Sequence, residues 1–510
     1  MSALYDTAAG VLERVRQHKG TIKTLCLEAE YKQKKKLLAL VCQTLKYQRA
    51  VDAIIAKAQL LEKEPTLSKE LARVLCHDLL IGGVLRCTGS LYEAIMRHKD
   101  ELQTALADLM AERGVDTASA LAEDTLAESM PRYARVNPLK QPEAATLTAL
   151  EETGFQLQQL HAAGPKSTTT LESRQHYFKD THLDNLLGFH PRTDFHTHWL
   201  YRRGHLILQD KASCFPAAIL APPPGSVCID ACAAPGNKTS HLAALMHNKG
   251  TVFAFDISRR RMGVMRRQLK LAGVTCVKTM LKSFLDTDPT HPKFRDVKYI
   301  LCDPSCSGSG IVSRLSDLVD VSDAGEPQTQ EEKQQERLKA LAEFQVQVVN
   351  HALSFPNVER VTYSTCSVHQ EENEDVVAAV LAANPSFELA EALPSWHRRG
   401  HSDTLPSAAM CVRTDPAQDF TNGFFVALFV RKPGAPRPQS QKQRTSKRNS
   451  STSKASASGD RGSGRGEGTT TKRAKSAAPQ APLVPRQRPS MKQRQKRSKA
   501  RLRSVVTPSH

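Results

Sequence analysis

Between about residues 204 and 432, short apolar runs alternate with longer segments of helical periodicity, and this alternation limits the possible folds more than any other feature. Strands made from such continuous apolar runs need cover on both faces, which is typical of a parallel sheet with helices on each side. We therefore predict an α/β fold with a doubly wound sheet. Strands are expected at 227–230, 251–255, 274–277, 297–302, 358–363 and 424–430, and helices at 238–247, 259–272, 336–354 and 371–383.

Other segments flank this predicted domain of residues 204–432. Residues 1–125 contain few Gly or Pro and repeat apolar residues at helical spacing, so they predict an N-terminal helical domain. Residues 126–203 mix short apolar runs with many His and are assigned to a small α/β subdomain. The polar, acidic stretch 313–335 predicts a mobile insertion. Residues 433–510 contain too few large apolar side chains to build a core, so they are predicted to be a disordered tail.

The positive charge of the chain is concentrated in that tail. Residues 434–510 hold 20 Lys or Arg against 2 Asp or Glu, a net charge of +18 out of +19 for the whole chain. The remainder is nearly neutral, so it must recognise a charged partner through local patches. Basic clusters such as 492–503 are typical of nuclear or nucleolar localisation signals and of segments that bind nucleic-acid phosphates. The basic run 32–36 leaves open whether the helical domain only packs or also contacts RNA.

The apolar runs and the cysteines indicate the compartment. The longest apolar run near the end, 424–430, is too short to span a bilayer, and the first residues do not resemble a signal peptide. We expect a soluble, intracellular protein with no membrane partner. The 12 Cys follow no disulfide framework, so reduced thiols are expected. The pairs Cys228/Cys232 and Cys302/Cys306 are spaced more widely than usual zinc ligands, and no metal is expected.

Two acidic strand ends predict where a ligand binds. In a doubly wound sheet, ligands lie beyond the carboxyl ends of the strands. The segment 230–239 places small residues, Pro and Gly between a strand and a helix, so a ligand can approach the backbone and an anion can meet the free N–H groups. It lacks dinucleotide and Walker patterns, and the carboxylate of S-adenosylmethionine suits it. Asp256 ends the next strand, where it can accept ribose hydroxyls or cap the helix, and Arg261 lies one turn later.

Two further strand ends each carry a cysteine in a polar loop, at 303–308 and 364–367. Two thiols facing one ligand crevice beside a methyl donor indicate methylation of cytosine at C5. A thiolate that adds to C6 makes C5 nucleophilic, C5 takes the methyl group, and loss of the C5 proton with release of the thiol restores the ring. Asp303 can hold the amino edge of the base. The residues alone do not rank Cys306 and Cys366.

At these residues the sequence resembles the Nol/Nop/Sun-domain (Sun/Fmu-like) family of RNA cytosine-C5 methyltransferases. The resemblance covers about 126–432 and rests on the segments 135–137, 204–210, 230–239, 303–308 and 363–367. The helical N-terminal region resembles the family's fifth-member subgroup, which acts on large-subunit ribosomal RNA. The resemblance implies a Rossmann-like methyltransferase sheet and an RNA-binding-like role for residues 126–203. It also implies large-subunit ribosomal RNA as partner and a nuclear, nucleolar location.

The resemblance also implies roles for individual residues. Cys366 corresponds to the nucleophile, and Cys306 to the second thiol that helps to release the product. S-adenosylmethionine is expected to contact Cys232, Ala233, Ala234, Pro235, Gly236, Asn237, Lys238, Asp256, Arg261 and Asp303. One departure from the family is that Pro304 precedes Ser305 where the commoner motif reads Asp-Ala-Pro-Cys-Ser-Gly, which bears on the loop before Cys306. A tRNA methyltransferase and an RNA-binding ribosome-assembly factor remain alternatives. A monomer is expected, although the sequence leaves the oligomeric state open.

Overall fold

The computed structural model describes residues 3–17, 19–20, 22–122, 130–159, 171, 173–312, 327–401 and 403–435, all within the unit Met1–Thr445. The predicted disordered tail lies outside these residues from position 436 onward, and so does part 313–326 of the predicted insertion. Within the described residues, no helix is both long enough and apolar enough to cross a membrane.

The described residues up to 122 form helices joined by loops, as predicted for residues 1–125. One core joins the helices, with Tyr5, Leu25, Val41, Ile54 and Leu75 almost completely buried. Each helix presents an apolar stripe to this core, which explains why its sequence repeats apolar residues every three or four positions. The helices are α1 (Ala3–Arg16), α2 (Ile22–Glu28), α3 (Lys34–Lys46), α4 (Gln48–Lys57), α5 (Leu60–Lys63), α6 (Lys69–Leu80), α7 (Ser90–Arg97) and α8 (Lys99–Glu112).

A small mixed sheet follows, in the strand order β2-β3-β4-β1-β5. Its elements are β1 (Arg132–Val136), α9 (Glu143–Glu152), β2 (Gln156–Leu157), β3 (His176–Lys179), β4 (Leu186–Phe189), α10 (Trp199–Arg202) and β5 (Leu206–Leu208). Strand β5 pairs with β1, so the small sheet takes its last strand from beyond residue 203, where we placed the boundary. The division into domains otherwise stays a prediction.

The remainder forms one eight-stranded sheet with helices packed on it. Its elements are α11 (Lys211–Leu220), β6 (Val227–Asp230), α12 (Asn237–Leu245), β7 (Thr251–Phe255), α13 (Arg259–Leu271), β8 (Val277–Met280), β9 (Val297–Cys302), α14 (Pro327–Leu353), β10 (Arg360–Thr365), α15 (Glu374–Ala383), β11 (Phe387–Ala390), β12 (Val412–Thr414), α16 (Pro416–Asp419) and β13 (Phe424–Arg431). The order is β11-β13-β10-β9-β6-β7-β8, with β12 also paired to β13. The predicted α/β class with a doubly wound sheet is therefore confirmed.

Two features of the predicted sheet are wrong. Strands β6 to β10 are parallel to their neighbours, but β13 runs antiparallel to β10, and β11 and β12 run antiparallel to β13, so the sheet is mixed. Antiparallel pairing needs no helical crossover, which is why apolar character alone did not reveal the direction of β13. The predicted strand 274–277 is also displaced, because β8 begins only at Val277.

The predicted insertion is wrong at its C-terminal end. Helix α14 begins at Pro327, so residues 327–335 belong to the helix rather than to a mobile segment. Polar, charged residues are good helix formers on an exposed face, and the side chains from Glu332 to Arg337 are exposed. Polarity therefore indicated exposure but not the absence of secondary structure.

Candidate active site

The loop between β6 and α12, together with the first two residues of α12, carries seven of the predicted site residues, 232–238. The loop is fixed from below: the Ala233 N–H donates to the Phe255 carbonyl at 2.8 Å, and the Thr239 hydroxyl donates to Asp230 at 2.7 Å. Gly236 has φ +108°, and a Cβ there would lie 2.7 Å from Met265 Cγ, so only glycine fits without displacement. The result is a small, rigid turn whose backbone a ligand can approach closely.

Burial governs the ionisation of the first residues of this segment. Burial raises the pKa of Asp230 to about 7, although its hydrogen bond from Thr239 opposes the shift. Burial also raises the pKa of the Cys232 thiol to about 12, so Cys232 remains a neutral thiol near neutral pH. Among the thiols of the site, Cys232 is therefore unsuited to attack a base.

Asp256 lies at the carboxyl end of β7, next to this loop. One of its carboxylate oxygens accepts the Ser258 N–H at 2.7 Å, and the other lies 3.4 Å from Arg261 Nη1. Arg261 also donates to the Ala234 carbonyl, so it links the two strand ends. The cap of α13 is Ser258, whose hydroxyl accepts from the Arg261 N–H. Two roles were considered for Asp256, binding of ribose hydroxyls and capping of the helix. The structure assigns the capping role to Ser258.

Sequence reasoning missed Ile257, which is 76% exposed beside Asp256. This exposed aliphatic side chain lies beside the carboxylate that follows β7, where an apolar part of a ligand can reach it. The signal available in the sequence was an apolar residue directly after the acidic strand end.

A partly buried ion pair connects the start of α12 to the third strand end. Lys238 Nζ lies 2.8 Å from Asp303 and 3.2 Å from the Ser213 hydroxyl, and the Ser364 hydroxyl donates to the other Asp303 oxygen at 2.7 Å. Burial by itself would lower the pKa of Lys238, but the charges of Asp303 and of a Cys366 thiolate outweigh burial and raise it. The site therefore holds a permanent positive charge near Cys366. Ser213 and Ser364 were not predicted as site residues.

The structure brings the two predicted thiols together. Strands β9 and β10 are adjacent and parallel, with Tyr363 opposite Cys302, so the loops that follow them meet at one edge of the sheet. Cys306 Sγ and Cys366 Sγ are 3.1 Å apart. The hydrogen bond with Cys366 and burial raise the pKa of the Cys306 thiol well above its ordinary value. Cys306 therefore keeps its proton, which suits it to proton transfer rather than to attack.

A buried polar network, not anticipated from the sequence, holds the Cys306 loop. Glu372 is completely buried and accepts the Ser307 N–H at 2.9 Å and the Gln345 amide at 3.0 Å. The same amide donates to the Ser305 carbonyl at 3.0 Å, and the Tyr363 hydroxyl donates to Gln345 at 3.0 Å. The backbone on both sides of Cys306 is thus fixed. The only signal in the sequence was a Gln within the apolar face of α14.

The cysteines weighed as metal ligands do not converge. Cys228 is buried in β6 with its thiol directed at Met246 Sδ, 3.5 Å away, and Cys302 is buried in the core beneath β9. Within the described ranges, no group of three or more His, Cys, Asp or Glu side chains is arranged to hold a metal ion.

Comparison with known proteins gives three matching family models. The model for the 16S rRNA methyltransferase RsmB/F matches residues 217–430. Models for the N-terminal domain and the ferredoxin-like domain of NOL1/NOP2/Sun domain family member 5 match residues 35–122 and 130–209. The three matches follow the helical region, the small sheet and the large sheet in order.

Whole-length relatives agree with the family models. A 28S rRNA (cytosine-C(5))-methyltransferase of Mus musculus is 44% identical, covering 86% of this chain and 93% of the relative. A 25S rRNA (cytosine-C(5))-methyltransferase of Schizosaccharomyces pombe is 39% identical, covering 83% and 90%. The crystal structure of PH0851 has a TM-score of 0.55 at 20% identity over 84% of this chain and 99% of that one, which shows the fold alone. The chain therefore belongs to the NOL1/NOP2/Sun-domain family of S-adenosylmethionine-dependent methyltransferases.

Proposed function

We propose that this protein is an S-adenosylmethionine-dependent RNA cytosine-C5 methyltransferase that acts on large-subunit ribosomal RNA. The observation that carries the proposal is the 3.1 Å approach of the Cys306 and Cys366 thiols. They lie at adjacent strand ends, beside the Lys238–Asp303 ion pair. A protein that only binds RNA needs no such pair of thiols at a ligand edge.

The residues present fit the methyl donor. The tight turn at Gly236, which a Cβ would fill, and the N–H groups at the start of α12 suit the carboxylate end of the ligand. The buried Asp256 carboxylate suits two ribose hydroxyls, and the exposed Ile257 suits the adenine ring. We assign the contacts to residues 232–238, Asp256, Arg261 and Asp303. When bound, the cofactor supplies the methyl group.

The nucleophile in this proposal is Cys366. Its thiolate forms a bond to C6 of cytosine, which moves an electron pair toward C5, and C5 takes up the methyl group. The Lys238 ammonium, kept charged by Asp303, stabilises the thiolate. Asp303, held by Lys238 and Ser364, offers a carboxylate oxygen to the amino group of the base.

Cys306 is assigned to the last step. The C5 proton passes to solvent water, its C–H electron pair forms the C5–C6 double bond, and the bond between Cys366 and C6 breaks, which returns the electron pair of that bond to sulfur. The 3.1 Å contact between the two thiols supports a Cys306 that shares its proton with the departing Cys366 sulfur. The hydrogen bond from Gln345 to the Ser305 carbonyl supports a fixed loop before Cys306, although Pro304 and Ser305 depart from the commoner family motif.

The names of the relatives support the choice of RNA. The Mus musculus and Schizosaccharomyces pombe proteins are named for 28S and 25S rRNA, and both match this chain over at least 83% of its length. We therefore place the substrate in large-subunit ribosomal RNA, with its site of action in the nucleolus. A tRNA substrate is the nearest alternative, and an assembly factor that binds RNA without modifying it is the alternative from another class.

The test is methylation by the purified protein and its Cys366→Ala variant. Wild-type protein with radiolabelled S-adenosylmethionine and unmethylated large-subunit ribosomal RNA should form 5-methylcytosine, and Cys366→Ala should form none while it still binds the cofactor. Bisulfite sequencing of RNA from cells that lack the protein then locates the target base. Substantial turnover by Cys366→Ala would exclude this nucleophile. A label found only in tRNA would favour the first alternative.

A further inference from the structure

Helix α13 has a charge pattern that packing does not explain. Six of its residues are basic and none is acidic: Arg259, Arg260, Arg261, Arg266, Arg267 and Lys270. All six are exposed, and we call them the basic ridge. Arg261 pairs with Asp256, whereas no ion pair forms at the other five within the described part of the chain. The ridge is therefore a concentrated, uncompensated positive surface.

This arrangement destabilises the isolated helix. Three arginines in the first turn lie at the positive end of the helix dipole, and like charges four residues apart repel, as at Arg266 and Lys270. Helix α8 shows the usual alternative, with Asp100 and Glu101 in its first turn. Binding of an anionic partner would relieve this repulsion.

The ridge borders a cleft that reaches the cofactor loop at 235–237 but contains none of the thiols or carboxylates of the candidate active site. The cleft has a volume of about 350 Å³ and lies between α13, the cofactor loop at 235–237 and the small sheet. Its walls include Tyr201, Arg202, Val264, Arg267, Gln268 and Leu271. Neither thiol of the candidate active site, and none of its carboxylates, lines the cleft. We call it the Tyr201 cleft.

The small sheet is fixed against α13, so the Tyr201 cleft is already formed. The Asn137 amide donates to the carbonyls of both Gly204 and Ala272 at 2.8 Å. Gly204 has φ +76°, and a Cβ there would lie 2.4 Å from the Leu271 carbonyl oxygen, so the two elements touch through backbone. Asn137 therefore joins the end of α13 to the small sheet.

The composition of the cleft points to a nucleotide of a single RNA strand. An aromatic ring and aliphatic walls suit a base, whereas the guanidinium groups of Arg202 and Arg267 suit a phosphate. Acidic protein segments would use the charges but would leave the aromatic walls without a partner.

We propose that the basic ridge and the Tyr201 cleft bind the RNA strand beside the target cytosine, the ridge through phosphates and the cleft through one nucleotide. This rests on the proposed function, because it assigns a path to the substrate of that site. Arg261 at the start of the ridge contacts the cofactor loop, and Lys270 lies nine residues later, about 13 Å along the helix at 1.5 Å per residue. That length corresponds to a few nucleotides.

The test compares two triple variants of the full chain. R266Q/R267Q/K270Q removes three charges from the ridge, whereas K333Q/R337Q/K339Q removes three exposed charges from α14, where acidic residues are interspersed. Binding of a short fluorescent single-stranded RNA is measured across a salt series, and S-adenosylmethionine binding is measured separately. Each lost phosphate contact should lower the slope of log affinity against log salt by about 0.7.

The ridge variant should bind RNA about 10- to 100-fold more weakly at 0.1 M salt, with a slope lower by about 2 and unchanged cofactor affinity. The α14 variant should differ little from wild type. Tyr201→Ala should weaken binding with no change in slope, because it removes stacking but no charge. Equal losses in both triple variants, or none in the ridge variant, would overturn the proposal. Polyglutamate that binds wild type as tightly as RNA, and loses as much affinity as RNA in the ridge variant but not in the α14 variant, would assign the ridge to an acidic protein and overturn the proposal too. Absence of methylation by wild type would refute the proposed function instead, since RNA binding is measured independently of it.

Discussion

Replacing Glu372 with alanine should disable the second thiol while leaving the first intact. Glu372 is completely buried, and its Oε1 accepts both the Ser307 N–H and the Gln345 amide. The variant removes the acceptor of the Ser307 N–H and one of the two acceptors of the Gln345 amide. Each loss costs about 1–3 kcal/mol, so the free energy of unfolding should fall by about 2–6 kcal/mol. For a domain of this size, that corresponds to a lower melting temperature by roughly 4–24 °C.

The functional consequence follows from the position of the loop. Without this acceptor, the Ser307 N–H after Cys306 loses its hydrogen bond, and Gln345, which holds the Ser305 carbonyl before Cys306, loses one of its contacts, so proton delivery to Cys366 should become slow. Addition of Cys366 to the base does not need this loop. We therefore expect Glu372→Ala protein to accumulate as a covalent complex with RNA, visible on a denaturing gel below the melting temperature of the variant.

Glu372→Gln is the matched control, since it keeps the acceptor oxygen and the volume. It should cost only about 1 kcal/mol, because one side of the carboxylate has no partner, and it should release product at close to the wild-type rate. If Glu372→Ala melts like wild type, the hydrogen bonds do not stabilise the loop as inferred. If it melts earlier but releases product normally, the network serves the fold alone.

Other perturbations follow from the same geometry. Cys306→Ala should also trap protein on RNA through Cys366; normal turnover with no trapped species would make Cys306 a packing residue. Asp256→Ala should weaken S-adenosylmethionine binding about tenfold or more by calorimetry, since charged hydrogen bonds contribute about 1.5–3 kcal/mol each; unchanged affinity would remove it from the cofactor site. Burial raises the pKa of Asp230 to about 7, so between pH 4 and 7 the folded chain holds a proton that the unfolded chain has lost, and stability falls as pH rises through this window. Asp230→Asn should remove that part of the fall in urea titrations; an unaltered pH dependence would contradict the assignment. A chain ending at Lys432 should keep its choice of cytosine but bind RNA with a shallower salt dependence and lose nucleolar enrichment; a changed target base would show that the tail takes part in recognition.

Local sequence patterns were sufficient to predict features that depend on one strand or one loop alone. Strands β6, β7 and β9 have the predicted bounds, because each is an apolar run that ends at a polar or small residue. The turn at Gly236 was also predictable from the sequence, because Pro and Gly between a strand and a helix are typical of a tight turn. The position of strand β8 was predicted wrongly because residues 274–277 are apolar enough for a strand. In the structure, residues 274–276 precede β8, and pairing with β7 begins at Val277.

Contacts between side chains that are distant in the sequence could not be predicted in the same way. The contacts of Gln345 with Glu372, of Asp303 with Ser364 and of Arg261 with the Ala234 carbonyl join residues 27, 61 and 27 positions apart. No periodicity links such residues, because they belong to different elements that meet only when the sheet order is set. The basic composition of α13 was visible in the sequence, but its position beside the Tyr201 cleft was not.

The sequence by itself determined the α/β class, the strand ends that carry chemistry and the two cysteines that its family resemblance singles out. These depend on local patterns of apolarity and on short motifs, which the chain carries whatever its tertiary arrangement. Only the tertiary structure decided that β9 and β10 are neighbours, so that Cys306 and Cys366 lie 3.1 Å apart, and that β13 runs antiparallel beside them. The physical reason is that strand order and direction are set by long-range burial and backbone hydrogen bonding among all the elements together.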